Sequence, residues 1–149
     1  MPLVSAKGVD YRKLRELLAT GNWKEADLET NRVMLKVAGR ESEGWLRYED
    51  AENFSCQDLG TIDKLWVKYS NGKFGFSVQK QIYQSLDAPG SDNCRLVTCQ
   101  VPYLFAKDVG WIKGQEQRQG HFPKTFWGRI KNDMEFFSAI LSCRNSYTL

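Results

Sequence analysis

The sequence predicts an all-α fold, a single compact helical domain with a loop-rich C-terminal part, and three observations lead to this prediction. The length of 149 residues suits one domain. Apolar residues recur at the 3.6-residue period of a helix in four segments between residues 10 and 86. Strict alternation of apolar and polar residues is absent before residue 95, and the only plausible strand is the weak pattern "RLVTCQV" at residues 95–101.

The first two predicted helices form a hairpin. Asp10 is expected to cap the first helix, which ends near Gly21. Asn22 begins the second helix, and Glu25 has the spacing of a capping-box partner. The apolar faces consist of Leu14, Leu17 and Leu18 in the first helix and Ala26, Val33, Met34 and Val37 in the second. A connection of about two residues favours an antiparallel arrangement of the two helices.

The third and fourth helices flank an Asn-Gly turn at residues 71–72. Ser55 is expected to cap the third helix, and Asp58 occupies its third position, where a negative charge favours the positive helix end. The apolar positions are Leu59, Ile62, Leu65, Trp66 and Tyr69 in the third helix and Val78, Ile82, Tyr83 and Leu86 in the fourth. In the last third, only "RIKNDMEFFSAIL" at residues 129–141 predicts a helix of several turns, and we expect an N-terminal tail at 1–10 followed by the domain at 11–149.

The charge distribution is uneven although the net charge is only +3, which is too small to argue for nucleic-acid binding. Between residues 107 and 131, six basic residues stand against Asp108 and Glu116. Such a local positive field attracts carboxylates, phosphates or an acidic protein surface. A solvated loop face is the alternative interpretation of the same pattern.

The cysteine pattern and the chain start predict a cytoplasmic protein, with peripheral membrane association left open. The four cysteines form neither a C-x-x-C pair nor the dense pattern of a secreted disulfide scaffold, which favours a reducing compartment. The opening "MPLVSAKG" lacks the features of a signal or transit peptide. No apolar run approaches the roughly 20 residues of a membrane-spanning helix.

Residues that could support catalysis or metal binding are sparse. His121 is the single histidine, phosphate-binding glycine motifs are absent, and no two Cys or His residues have metal-ligand spacing. Asp58 and Asp63 lie about 140° apart around a helix, so they do not converge, and capping and surface solvation are the expected roles. We therefore expect neither an enzyme nor a protein-bound metal ion.

Two phenylalanines in "YSNGKFGFSVQ" have two interpretations. Phe74 and Phe76 could pack in the core where two helices meet, or they could line a cleft for a flat apolar ligand. The motifs "GNWKEAD", "TIDKLW" and "GKFGFSVQ", followed by "DVGW" and "GHFP", resemble the Genomes Uncoupled Four domain family. The resemblance is continuous from residue 11 to residue 86 and looser beyond.

The resemblance implies a non-enzymatic, cupped-hand, all-α domain that binds porphyrins such as protoporphyrin IX or its magnesium derivative, or an open-chain bilin, without a covalent bond. It also implies regulation of chlorophyll synthesis through the large subunit of magnesium chelatase in a cyanobacterium, and we expect a monomer. Phe76 is expected to face the cleft and Phe74 the core, while Gly75 is expected to allow close approach of the ligand. The ligand-binding residues that we predict are Leu65, Val67, Phe74, Phe76, Trp111, Arg118, His121, Phe122, Lys124 and Arg129.

One segment departs from the family pattern. Between "VGW" and the "GHLP" motif, members of the family have a long loop rich in aromatic and aliphatic residues that folds over the porphyrin. Here the interval is only "IKGQEQRQ" at residues 112–119, and Phe122 replaces the leucine of the motif. Losing about 100 Å² of apolar contact would remove roughly 2.5 kcal/mol of binding energy, so we expect a divergent paralogue with weak porphyrin binding, a preference for bilins, or a lost chelatase role.

Overall fold

The computed structural model describes residues 2–86, 101–125 and 143. Within these residues every regular element is a helix, which confirms the all-α prediction. The helices are α1 (Arg12–Ala19), α2 (Trp23–Ala38), α3 (Tyr48–Glu52), α4 (Cys56–Tyr69), α5 (Phe76–Leu86) and α6 (Val101–Asp108). Contacts join α1, α2 and α4 to one another, and α5 to both α4 and α6.

The hairpin of α1 and α2 has its predicted apolar faces but not all of its predicted caps. Tyr11, rather than the predicted Asp10, is the N-cap residue of α1, and its side chain makes no capping hydrogen bond. The Asp10 carboxylate accepts from the backbone N–H of Arg12 at 3.0 Å. Asn22 precedes α2, but its side chain makes no capping hydrogen bond, so the predicted capping box with Glu25 is wrong. The Asn22 amide instead donates to Thr20 Oγ1 at 3.2 Å, because the hydroxyl in the short connection is within its reach.

The N-terminus of α4 binds the first residues of the chain. Ser55 Oγ accepts from Asp58 N at 3.3 Å, as the sequence predicts for a cap. Asp58, however, is fully buried, so its predicted surface solvation is wrong. Its carboxylate accepts hydrogen bonds from Ser5 Oγ, from Ala6 N at 3.1 Å and from Tyr11 Oη at 2.6 Å, and these donors replace water.

Asp63 is the second buried carboxylate of α4, and it binds the start of α5. Its Oδ1 accepts from Ser77 N at 2.8 Å, which places a negative charge at the positive end of α5. Surface solvation is therefore wrong for Asp63 as well. Gly75, with φ of +135°, explains the close approach, since a Cβ there would lie 2.8 Å from both Asp63 Oδ1 and Val67 Cγ2. The space beside Gly75 is filled by α4, which corrects the expectation that a ligand lies there.

An aromatic cluster forms the centre of the core. Trp66 stacks on Trp23 and Phe122, with ring centroids 6.2 and 5.7 Å apart, and Phe74 meets Trp66 edge to face at 6.1 Å. The indole N–H of Trp66 donates to Thr30 Oγ1 at 2.9 Å, so the polar atom of this buried ring is satisfied. The core therefore joins α2 and α4 to residue 122, near the end of the described chain.

Three features of the fold were not predicted. The short helix α3 has no apolar period, and α6 begins at Val101, the last residue of the predicted strand, so a strand is wrong at that residue. The other six residues of that strand and the predicted helix at 129–141 lie outside the described residues. Cys56 and Cys143 form a disulfide with a Cα–Cα distance of 5.6 Å, which the sequence did not indicate and which departs from the reduced cysteines expected there. Among the described helices, none combines the length and the apolar character that crossing a membrane requires.

Candidate functional site

A groove of about 480 Å³ lies between the first half of α2 and residues 116–125. Its volume falls within the range of about 300–1,000 Å³ that is usual for small-molecule sites. Residues 120–125, which we call the strap, form one wall. The lining residues are Lys24, Asp27 and Leu28 from α2, together with Glu116, His121, Phe122, Lys124 and Thr125.

The α2 wall follows from helix geometry. Lys24, Asp27 and Leu28 have i, i+3, i+4 spacing, so they share one face of the helix. Leu28 is 54% exposed, which is unusual for a leucine beside a large core. The groove thus has an apolar contact surface that the protein itself leaves open.

The strap is held from behind by α5 and the turn before it. Gln79 Nε2 donates to Gly120 O at 3.0 Å and to Pro123 O at 2.8 Å, and the Gln79 side chain is buried. Backbone bonds run from Gly75 N to Phe122 O at 3.0 Å and from Gly120 N to Lys73 O at 2.8 Å. The motif "GKFGFSVQ" therefore positions the strap rather than facing the groove directly.

His121 is a fixed, uncharged member of the groove wall. Its Nδ1 lies 2.7 Å from Val109 O, and its own carbonyl accepts from Trp111 Nε1 at 2.7 Å. Burial lowers the pKa of His121, which keeps the imidazole neutral at neutral pH. With a carbonyl as its partner, Nδ1 carries the proton.

Asp27 joins the two walls of the groove. Its carboxylate accepts from Lys124 N at 2.8 Å, from Thr125 N at 3.1 Å and from Thr125 Oγ1 at 2.7 Å. Only 4% of Asp27 is exposed, and burial raises its pKa although these hydrogen bonds oppose the shift. Asp27 thus fixes the strap to α2 at Lys124 and Thr125.

The groove lining carries two lysines, Lys24 and Lys124, and two carboxylates, Asp27 and Glu116. Lys24 Nζ lies 3.1 Å from Glu116 Oε1, and both side chains are exposed. Lys124 is partly buried beside them. Apolar surface next to two ammonium groups suits an amphipathic ligand that carries carboxylates.

The structure brings three of the predicted site residues together, namely His121, Phe122 and Lys124. Trp111 adjoins them through its hydrogen bond to His121 O. Arg118 is exposed, and its Nε lies 3.3 Å from Gln115 Oε1, so this guanidinium is not in the groove lining.

Four of the remaining predicted residues lie outside the groove lining. Leu65, Phe74 and Phe76 are buried in the core, and Phe76 has no exposed surface. This burial corrects the expectation that the Phe76 ring faces an open cleft, and it agrees with the core position expected for Phe74. Val67 is partly buried against Gly75, and Arg129 lies outside the described residues. Direct ligand contact by these five residues stays a prediction.

Sequence reasoning missed five groove residues: Lys24, Asp27, Leu28, Glu116 and Thr125. Among them, Leu28 is the residue that the sequence could have indicated, since it is apolar but lies off the apolar face that the other residues of α2 define. Clusters of three or more His, Cys, Asp or Glu residues with metal-binding geometry are absent from the part of the chain that the structure describes.

Comparison with known proteins identifies relatives of this chain in sequence and in fold. The sequence model of a family described as GUN4-like matches residues 4–132. The chain is 43% identical over 128 residues to a protein called ycf53 of Porphyra purpurea, covering 83% of this chain and 53% of that protein. It is 36% identical over 124 residues to the chloroplastic tetrapyrrole-binding protein of Arabidopsis thaliana, covering 75% of this chain and 47% of that protein. The chain thus spans about half the length of these relatives.

Two solved structures have the same fold. GUN4 from Chlamydomonas reinhardtii aligns with a TM-score of 0.70 at 30% identity, covering 94% of this chain and 91% of that one. The ligand-free GUN4 of Arabidopsis thaliana aligns with a TM-score of 0.71 at 25% identity, covering 91% and 96%.

Proposed function

Because the chain belongs to the GUN4-like family, we propose that it binds a tetrapyrrole, a porphyrin or a bilin, without a covalent bond and without catalysing a reaction. The observation that carries this proposal is the groove, which combines the exposed Leu28 with Lys24 and Lys124, while the carboxylate of Asp27 is occupied by hydrogen bonds from the strap. The tetrapyrrole-binding relative in Arabidopsis supports the choice of ligand class.

The residues present fit such a ligand. A tetrapyrrole offers a flat apolar body and two propionates on one edge. Leu28 supplies the exposed apolar contact, since Phe122 is only 3% exposed, and Lys24 and Lys124 are placed to bind propionates through charge-assisted hydrogen bonds. A central metal ion, as in magnesium protoporphyrin IX, would be carried by the ligand itself.

We expect weak binding, with a Kd in the micromolar range or above. Residues 112–119 form a series of turns whose side chains are mostly exposed, and Ile112, the one large aliphatic residue among them, is 50% exposed. A loop this short and polar adds little apolar contact to one face of the ligand.

The biological role that we propose is regulation of chlorophyll synthesis through the large subunit of magnesium chelatase, by a monomer in a cyanobacterial cytoplasm. Occurrence of related proteins in Synechocystis and in a chloroplast supports a photosynthetic setting.

Absorbance and tryptophan-fluorescence titration of the purified chain tests ligand binding. We expect saturable quenching with protoporphyrin IX or biliverdin, because Trp23 adjoins Lys24 of the groove and Trp111 bonds to His121. Free tryptophan serves as the control for the inner-filter effect. Quenching no greater than that of the control with every porphyrin and bilin would refute the proposal.

A second candidate function is protein interaction through the basic face. Lys107, Lys113 and Arg118 are exposed, and no ion pair of these three side chains occurs among the described residues. An acidic partner protein would suit this surface. Failure of all tetrapyrrole titrations, together with salt-sensitive binding to the chelatase subunit, would favour this second function.

A further inference from the structure

We propose that Asp27 is a positioning residue that makes Lys124 selective for carboxylate-bearing ligands, by fixing the strap to α2. The inference rests on the proposed function, because it concerns how the same groove recognises its ligand. It assigns a ligand-selecting role to a buried carboxylate that sequence reasoning did not identify.

The contacts of Asp27 are concentrated on two consecutive residues. Among the described residues, its carboxylate accepts four hydrogen bonds, which come from Lys124 N and from the N–H and hydroxyl of Thr125, at 2.7 to 3.1 Å. These partners lie 97 and 98 residues away in the sequence. Asp27 therefore fixes the Cα from which the Lys124 side chain extends.

Fixing that Cα has an energetic consequence for recognition. A lysine side chain loses considerable rotamer freedom when it binds a carboxylate. A lysine whose backbone also moves loses still more freedom, so its contact contributes less to affinity. The strap is already held from the other side by Gln79, and Asp27 supplies the attachment on the groove side.

The negative charge of Asp27 has the opposite effect on the preference for carboxylate-bearing ligands. A carboxylate in the groove lining repels propionates, so neutralising it favours anionic ligands through Coulomb forces. A double-mutant cycle separates the two effects, because only the charge effect remains once Lys124 has lost its ammonium group.

The experiment measures a selectivity ratio, the Kd of protoporphyrin IX dimethyl ester divided by the Kd of the free diacid. Thr125→Val removes one hydrogen bond to Asp27 without changing any charge, and we expect it to lower the ratio by about two- to fivefold, the usual size of one such bond. Thr125→Ser keeps the hydroxyl and is expected to restore the wild-type ratio.

The cycle of Asp27→Asn and Lys124→Gln gives the second measurement. We expect Asp27→Asn to raise the ratio in the Lys124→Gln background but to raise it less, or to lower it, when Lys124 is present. Equal changes in the two backgrounds would overturn the proposal. An unchanged ratio in Thr125→Val would overturn it too, since ligand selection by Lys124 would then not depend on the hydrogen bonds between Asp27 and the strap.

Asp63→Asn is the matched control, because Asp63 is also a buried carboxylate that accepts a backbone N–H from another part of the chain, but it does not line the groove. We expect it to change urea unfolding while leaving the selectivity ratio at the wild-type value. A ratio that fell equally in Asp63→Asn and Thr125→Val would show a general stability effect and would overturn the proposal.

The proposed function and the role of Asp27 can fail separately. If the wild-type chain bound neither diacid nor ester, the proposed function itself would fail. Wild-type binding with an unchanged ratio in every variant would overturn only the role of Asp27.

Discussion

The aromatic core and the groove share one residue, Phe122, and otherwise differ in almost every property. The core side of Phe122 is closed by Trp66 and Phe74, whose rings are fully or almost fully buried. On the groove side the same strap is lined by charged residues and by the exposed Leu28. The motif "GKFGFSVQ" therefore builds the support, whereas the candidate site combines residues 116–125 with a face of α2 that resembles an ordinary solvated one.

The largest expected effect is the loss of stability caused by a substitution in the core. Phe76→Ala removes a ring with no exposed surface, and we expect it to lower the free energy of unfolding by roughly 3–5 kcal/mol in urea titration. Leu28→Ala is the matched change on the groove side, where an exposed side chain should cost less than about 0.5 kcal/mol while tetrapyrrole affinity falls. Phe76→Ala with near wild-type stability and reduced affinity would instead place this ring in the ligand site.

An intermediate effect is expected from the pH dependence of Asp63. Burial raises the folded-state pKa of Asp63 above the ordinary value of 3.8, so the folded protein holds this proton more tightly than the unfolded chain does. The contribution of Asp63 to stability is therefore greatest below 3.8, declines as the pH rises through the raised pKa and is constant above it.

The measurement is urea unfolding of the wild type and of Asp63→Asn from pH 3.5 to 7. Asparagine keeps an acceptor for Ser77 N but does not titrate, so the difference between the two curves isolates this group. We expect the wild type to lose stability relative to the variant as the pH rises. A relative gain with rising pH would show that the carboxylate prefers to be charged in the fold.

The smallest expected effect concerns the affinity of the groove for a diacid porphyrin. Glu116 holds Lys24 at 3.1 Å, where it competes with a ligand carboxylate for the same ammonium group. Glu116→Gln should therefore tighten binding of a diacid porphyrin by about two- to fivefold at low salt, as for other exposed ion pairs, and leave the dimethyl ester unaffected. Glu25→Gln removes the same charge from an exposed position of α2 outside the groove lining, and we expect little change. Equal tightening in both variants would indicate a net-charge effect.

Prediction from sequence succeeded where a local pattern determines the structure. The helical period located α1, α2, α4 and α5, because their buried faces recur every three to four residues. It failed for α3, which has five residues and no apolar face of its own, and at Val101, where a short apolar pattern fits a strand and a helix equally.

The candidate site was only half predictable for a related reason. His121, Phe122 and Lys124 belong to a recognisable motif, but their partner Asp27 lies almost a hundred residues earlier on a helix face rich in charges. Nothing local distinguishes a carboxylate that will be buried by a distant strap from one that stays in water. The burial of Phe76 was misjudged for the same cause, since its neighbours come from other segments of the chain.

The disulfide between Cys56 and Cys143 has a mechanical consequence. It joins two points 87 residues apart, so α5, α6 and the strap all lie on the loop that it closes. A force applied to the two chain ends would pass through the covalent bridge and bypass that loop. In an optical-tweezers experiment the oxidised chain should stretch to only roughly 220 Å, contributed by the 56 residues up to Cys56 and the seven from Cys143 onward. Adding a dithiol reductant should release the loop and extend the 149-residue chain to roughly 500 Å.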